Sequence, residues 1–383
     1  MWGPSSLGGA GPFPTRRQYL AGCGLAGTVG LAGCFDRLTG GETGTQLSEL
    51  IPPMTDVLAG VDPAVAGVPA SHDAITEGND RDADDSDMAD SADSGDGSED
   101  IRSGLAGTTL DGFDLHGALL LAESVTGRDL GDSRAVVVFG SRPGDGEPAD
   151  DLGVLLDVDW SPAEVADDVA ERTDTAYDQV DEEGERYEPS VPASLESVDL
   201  PDETQVLEEG FDGDGSVTPA LSSLGSDLLA IGSMAAVEAA LDVAHGGDGL
   251  EGSIPTAYGD PDTGLIRYAQ TTETGIVPDD FDVPSLIDLG PLEAVETIGG
   301  TLSAEADDDV SLEVRLYSGQ DGDPETLETV TNGALSILAG TGQYEGEPLQ
   351  DGLERATVDR DDEVVFVRYA GEAAPAFALI EEF

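Results

Sequence analysis

The chain has 383 residues, 81 of them acidic against 15 basic, for a formal net charge of −66, and every basic residue is arginine. So acidic a surface has no footprint for nucleic-acid phosphates, which need basic patches, and a lysine-free chain excludes a phosphate loop ending in Gly-Lys-Ser/Thr. Self-repulsion of this size opposes compact folding in ordinary saline, whereas at molar salt the Debye length falls to about 3 Å and distant repulsion is screened.

Taken in chain order, Arg16 and Arg17 stand directly before a soft apolar stretch from Leu20 to Ala32. That stretch is shorter than the roughly 20 residues a membrane-spanning helix needs, and Gly22, Gly24, Gly27 and Gly30 weaken it as a helix. The run Thr15-Arg16-Arg17-Gln18-Tyr19-Leu20 resembles a twin-arginine export signal, an address read by a receptor rather than an anchor. Leu-Ala-Gly-Cys occurs twice, at 20–23 and 31–34, and only the second copy has the apolar region between it and the arginines. Cys34 is therefore the candidate lipidated residue. The resemblance to bacterial and archaeal lipoprotein boxes implies cleavage after Gly33 and a thioether-linked lipid on Cys34, whose two chains suffice for stable anchoring. The alternative leaves Cys23 and Cys34 as ordinary small residues of an uncleaved signal. With cleavage, the mature chain keeps no free thiol, which excludes cysteine catalysis, disulfides and thiolate metal sites.

Residues 1–33 thus read as a signal peptide and 34–49 as a Gly/Thr-rich tether. Apolar character returns over 50–70, where Met54, Val57, Leu58 and Val61 fit a short strand or helix. Residues 71–104 are rich in Asp, Ser, Gly and Ala and include Asp80-Arg81-Asp82-Ala83-Asp84-Asp85. A block of like charge with so little apolar surface is expected to be disordered. A loose cation-binding tract is the rival reading, but no Asp spacing there makes an EF-hand loop.

Residues 105–250 read as a first ordered module. Ala135–Gly140 is a buried-strand run closed by glycine, and from Gly153 to Trp160 apolar and polar residues alternate, with Val154, Leu156 and Val158 on one side. Ser161-Pro162-Ala163-Glu164 is a capping box. It predicts a helix to about Val180 that buries Val165, Val169, Ala176, Tyr177 and Val180. A strand over 228–231 follows, then a helix capped by Ser233 and stopped by Gly246-Gly247.

Residues 251–383 read as a second module. Strands are predicted over 297–306 and 310–317, with Leu312, Val314 and Leu316 on one face. Asp323-Pro324-Glu325 starts a helix bearing Leu327, Val330, Leu335 and Leu338, and 353–358 with 364–369 form a hairpin. A short last helix carries Phe377, Leu379 and Ile380. The fold class expected is α+β: two similar modules of antiparallel strands and packed helices, each on a β-β-α-β-β-α plan and related by duplication.

Several features carry a wider resemblance: Val138-Phe139-Gly140, Asp159-Trp160-Ser161, Ala230-Ile231-Gly232-Ser233, and Gly264-Leu265-Ile266-Arg267-Tyr268-Ala269. With these, roughly residues 133–340 resemble a group of haloarchaeal lipoproteins of unknown function. The lysine-free, Asp-rich composition is similar to that of proteins from extreme halophiles. The resemblance implies an extracytoplasmic, membrane-anchored protein and supplies no activity.

No catalytic constellation emerges. His72, His116 and His245 are far apart and in no ligand spacing, no Gly-x-Ser-x-Gly elbow exists, and 81 carboxylates make any one acid pair uninformative for glycoside hydrolysis. No catalytic residue, cofactor or metal site is expected. Arg267, in a predicted strand, either pairs with a carboxylate or receives an anionic partner. The expected function is a non-enzymatic binding or scaffold lipoprotein of the cell envelope, held to the membrane by its lipid and meeting an envelope protein. The alternative is a solute-binding lipoprotein of a transporter, and an exported hydrolase ranks third.

Overall fold

Five consecutive buried residues, Val57–Val61, form strand β1 at the centre of the sheet. β1 pairs antiparallel with β4 (Ala135–Gly140) on one side and β10 (Ile266–Thr271) on the other. Its small and β-branched side chains suit a strand covered on both faces. The sequence set residues 50–70 apart from both modules. Pairing corrects this, because β1 is the strand on which the two halves of the sheet meet.

The computed structural model describes residues 47–66, 109–110, 113–141, 152–173, 177–180, 186–189, 219–225, 227–259, 264–272, 275–276, 289–305, 309–319, 322–341, 344 and 346–382. They belong to one unit spanning 41–383. Arg16, Arg17, Cys34 and the acidic segment 71–104 lie outside the described residues.

After β1 come α1 (Pro63–Ala66), the small pair β2 (Thr109–Leu110) and β3 (Phe113–Asp114), and α2 (Leu115–Thr126). The first half continues with β4, β5 (Gly153–Asp157), α3 (Pro162–Thr173), β6 (Tyr177–Gln179), β7 (Arg186–Pro189), β8 (Ala220–Ser223), β9 (Leu228–Gly232) and α4 (Met234–Ala244). The second half holds α5 (Ser253–Gly259), β10, α6 (Gly290–Glu293), β11 (Val295–Ala304), β12 (Val310–Ser318) and α7 (Pro324–Thr341). It closes with α8 (Pro348–Arg355), β13 (Thr357–Asp361), β14 (Val364–Gly371) and α9 (Ala373–Glu382). Twelve strands make one sheet in the order β13-β14-β12-β11-β10-β1-β4-β5-β9-β8-β7-β6, and its pairings are antiparallel. The fold is α+β, with helices on an antiparallel sheet.

Strand periodicity sorts the core into two layers. On one face Val57, Val138, Leu156, Tyr268, Ile298, Val314 and Val367 pack with α2, α3, α7, α8 and α9. On the other, Leu58, Phe139, Leu155, Ala230 and Ala269 pack with α4 and α5 and with Leu47 and Ile51. Leu47 is fully buried, so the folded body includes part of the stretch that reads as tether. The alternation expected across Gly153–Asp157 is present, but Leu155 and Asp157 are buried as well, because this part of the sheet is covered on both sides.

The caps are where local chemistry puts them. Ser233 accepts from Ala236 N at 3.1 Å and Asp323 accepts from Glu325 N at 3.3 Å, each satisfying an orphan donor of a first helical turn. The helix expected to reach Val180 ends instead at Thr173. Thr173-Asp174-Thr175 carries β-branched residues and an Asp that compete with helix. Tyr177 lies in β6 and donates its hydroxyl to Pro219 O at 2.8 Å, while Val180 is exposed. Leu353, expected in a strand, is buried in α8, where Pro348 at the helix start pre-sets the backbone. The hairpin beyond it turns at Asp362, whose φ of 49° is one that Asp tolerates.

Candidate functional site

The two halves of the sheet are finished differently. On the second face α4 lies over β8 and β9 and α5 over β10 and β11, with Leu47 and Ile51 packed in the same layer. Beyond α5, over β12, β14 and β13, no described helix contributes to that layer. The face is polar there and forms an open groove of ≈ 730 Å³.

Register explains which residues meet. Thr301 of β11 stands opposite Arg267 of β10 and Glu313 of β12. Glu313 stands opposite Arg368 of β14, and Arg368 opposite Thr357 of β13. One cross-strand row therefore carries Arg267, Thr301, Glu313, Arg368 and Thr357, with Arg315 two residues along β12 on the same face.

Glu313 is the hub. One carboxylate oxygen accepts from Arg315 Nε at 3.1 Å and Nη2 at 2.7 Å, and the other accepts from Arg368 Nε at 2.6 Å. Burial pushes this carboxyl up, but hydrogen bonds from Arg368 and Arg315 outweigh it and hold Glu313 below the ordinary glutamate value. Arg368 also donates to Asp359 at 3.1 Å and lies over the Phe366 ring, 4.4 Å from its centroid.

Arg315 is only 5 % exposed, an unusual place for a charge unless it is paired. Its third contact is the Ala257 carbonyl of α5 at 3.5 Å. Gly299 makes this approach feasible, because a Cβ there would come within 2.8 Å of the same carbonyl. At the groove's end Arg355 donates to Ala370 O at 2.8 Å and lies over the Tyr369 ring.

Two members of the row are under-used. Thr301 is 7 % exposed and its hydroxyl has no partner among the described residues, which ordinarily costs about 1–3 kcal/mol. Arg267 lies over the ring of Tyr258, 4.9 Å from the centroid. Arg128, Arg134, Arg186, Arg315, Arg355, Arg360 and Arg368 each reach a carboxylate; Arg267 is in no such pair among the described residues.

Of the residues singled out from sequence, Arg267 stands opposite Thr301, which lines the groove. His245 caps the end of α4 in the other half, and His116 falls in α2. Arg315, Glu313 and Arg368 were missed. Their signal was present in β12, where Glu313 and Arg315 interrupt Leu312, Val314 and Leu316. A charge pair on the second face of a strand says that this face is polar. Among the described residues no group of three or more His, Cys, Asp or Glu could hold a metal ion, and no helix is long and apolar enough to cross a membrane.

No protein-family model matches this chain, and no curated protein does. Among solved structures it is similar to crystal form I of TP0453, with 8 % identity, TM-score 0.41, and coverage of 88 % of this chain and 96 % of that one. For crystal form III of TP0453 the values are 9 %, 0.43, 88 % and 97 %.

Proposed function

We propose that this protein is a membrane-anchored, extracytoplasmic lipoprotein of a haloarchaeal cell envelope. Its folded body is a non-enzymatic binding or scaffold module that works through the open face of β12–β14. Arg16 and Arg17 serve export, Cys34 carries the lipid, and residues 71–104 form an acidic segment suited to brine. One observation carries the binding role: the groove lining pairs buried arginine with open space in a chain of net charge −66.

The two-module plan belongs to the same reading. Away from the centre, β10-β11-β12-β14-β13 and β1-β4-β5-β9-β8 have the same order. Gly232 and Gly371 end corresponding strands with φ of 157° and 156°, each two residues before a helix. Both features support duplication of one β-β-β-α-β-β-α unit, one strand longer than the sequence plan.

A solute-binding role for a transporter is the second reading. It is favoured by the groove's ≈ 730 Å³, a volume within the range of small-molecule sites.

Because the chain has no lysine, amine-directed crosslinkers cannot sample its surface. A photo-crosslinking residue placed at Ser311, in the groove, should capture a reproducible envelope protein in intact cells, while the same probe at Glu238 on α4 should not. Equal capture, or none, would sink the binding-module reading. Cys34→Ser should move the protein from membrane to medium, and retention in the membrane would contradict the lipid anchor.

A further inference from the structure

We propose that the groove receives an oxyanion, a carboxylate or sulfate group, held between the guanidiniums of Arg315 and Arg368; this rests on the open face being a binding surface. Among the described residues the charged lining is Arg315, Arg355, Arg368 and Glu313, with Asp359 and Asp351 pairing Arg368 and Arg355 from beside it. Three guanidiniums gathered on one face, of only 15 in a chain of net charge −66, run against what composition would place there.

Donor counting leads to the same ligand. A guanidinium has five N–H donors. Arg368 commits Nε to Glu313 and one Nη1 hydrogen to Asp359, so Nη2 is uncommitted among the described residues. Arg315 commits Nε and Nη2 to Glu313 and Nη1 to Ala257 O, again with donors to spare. Glu313 is itself an oxyanion bridging the two arginines, and so displays the chemistry they are arranged to hold. Beside it in the row is the buried Thr301 hydroxyl without a partner, and Ser303 and Ser311 line the same groove.

Two oxygens on one ligand atom fit the planar fork of arginine, which a single spherical chloride cannot match. At molar salt the Debye length of about 3 Å confines the repulsion of the acidic surface to its own neighbourhood. Contacts in the groove then decide binding.

The test is equilibrium dialysis of the full detergent-solubilised chain in 2 M KCl, a concentration on the order of that which screens the chain, with radiolabelled sulfate, acetate and poly-L-glutamate as probes. Saturable binding of one probe per chain is expected. Poly-L-glutamate binding at least about tenfold tighter than acetate would assign the oxyanion to acidic side chains of a partner, and equal binding to a free solute. Arg368→Gln should weaken binding at least about tenfold, the value of one charge-assisted hydrogen bond, and Arg368→Lys should weaken it less.

Glu313→Gln removes the internal competitor and should tighten binding about threefold or more; this variant decides the matter if Arg368→Gln fails to fold. Absence of saturable binding in both the unaltered chain and Glu313→Gln would overturn the oxyanion. So would unchanged affinity in the folded arginine variants. If photo-crosslinks from Ser311 persist in that case, the binding surface stands and only its ligand class falls.

Discussion

Strands β1, β4, β5, β9 and β8 run outward from the centre of the sheet in the same order as β10, β11, β12, β14 and β13. Yet the first set is buried on both faces, whereas in the second β10 and β11 lie under α5 and β12 and β14 are buried mainly on one face. The difference comes down to which way the chain leaves its last strand. Gly232 stands opposite Ala220, a member of the second layer, and the helix that follows, α4, packs in that layer. Gly371 stands opposite Val310, a member of the first layer, and α9 packs there instead. Side chains alternate along a strand, so a shift of one residue sends the exit to the other face. The second half thereby gains a doubly supported first layer and leaves the second face of β12, β14 and β13 bare. A polar groove is what a sheet offers when a covering helix has gone to the other side.

The largest effect tests whether the halves are one body. Dilution below about 1 M salt, where screening fails, should unfold the whole sheet in a single transition, with circular dichroism and tryptophan fluorescence coincident. Two separate steps would show that the β1–β10 pairing does not unite them.

Next come matched truncations on the second face. Leu155→Ala, in the sealed half and 0 % exposed, should cost about 2–5 kcal/mol in urea unfolding at fixed molar salt. Phe366→Ala, in the open half and only partly buried, should cost about 1 kcal/mol, mainly from its contact with Arg368. Equal losses would mean that the second half is not open.

The exit glycines give a finer contrast. A Cβ at Gly232 meets backbone, the Leu152 carbonyl and Gly153 Cα, which cannot swing aside. At Gly371 it meets the ends of Arg355 and Tyr369 side chains, at 2.6 Å, which can. Gly232→Ala should therefore destabilise by about 1–3 kcal/mol and Gly371→Ala by less, as read from urea midpoints.

The smallest effect concerns pH. The folded-state value of Glu313 lies below its ordinary 4.5, so its pairing stabilises the fold above that value. The contribution is lost as pH falls through the lowered one. Glu313→Gln should flatten this part of the acid limb in urea titrations, whereas an unchanged acid limb would remove Glu313 from the hub.

Local chemistry was legible in the sequence; partnership was not. Ser233, Asp323-Pro324 and the alternation of Leu312, Val314 and Leu316 are read from neighbours within a few residues, and the structure has each where expected. The central place of Val57–Val61 depends on pairing with residues about 80 and 210 positions away, contacts that a five-residue pattern cannot encode. The end of α3 at Thr173 reflects a similar override, because Tyr177 and Val180 fit a helical face as well as a strand. Glu313 and Arg315 were half legible, since their positions showed a polar face but not that Arg368 would stand opposite.

With the proposed binding role, the second face of β12–β14 is open in the protein alone and covered in the cell. Carbene footprinting with a photolysed diazirine measures this at once, on the full chain in molar salt and on intact cells. Phe366 should be labelled in the purified protein and protected in cells, while Phe139 beneath the sealed face is protected in both. Equal labelling of Phe366 in the two preparations would contradict it.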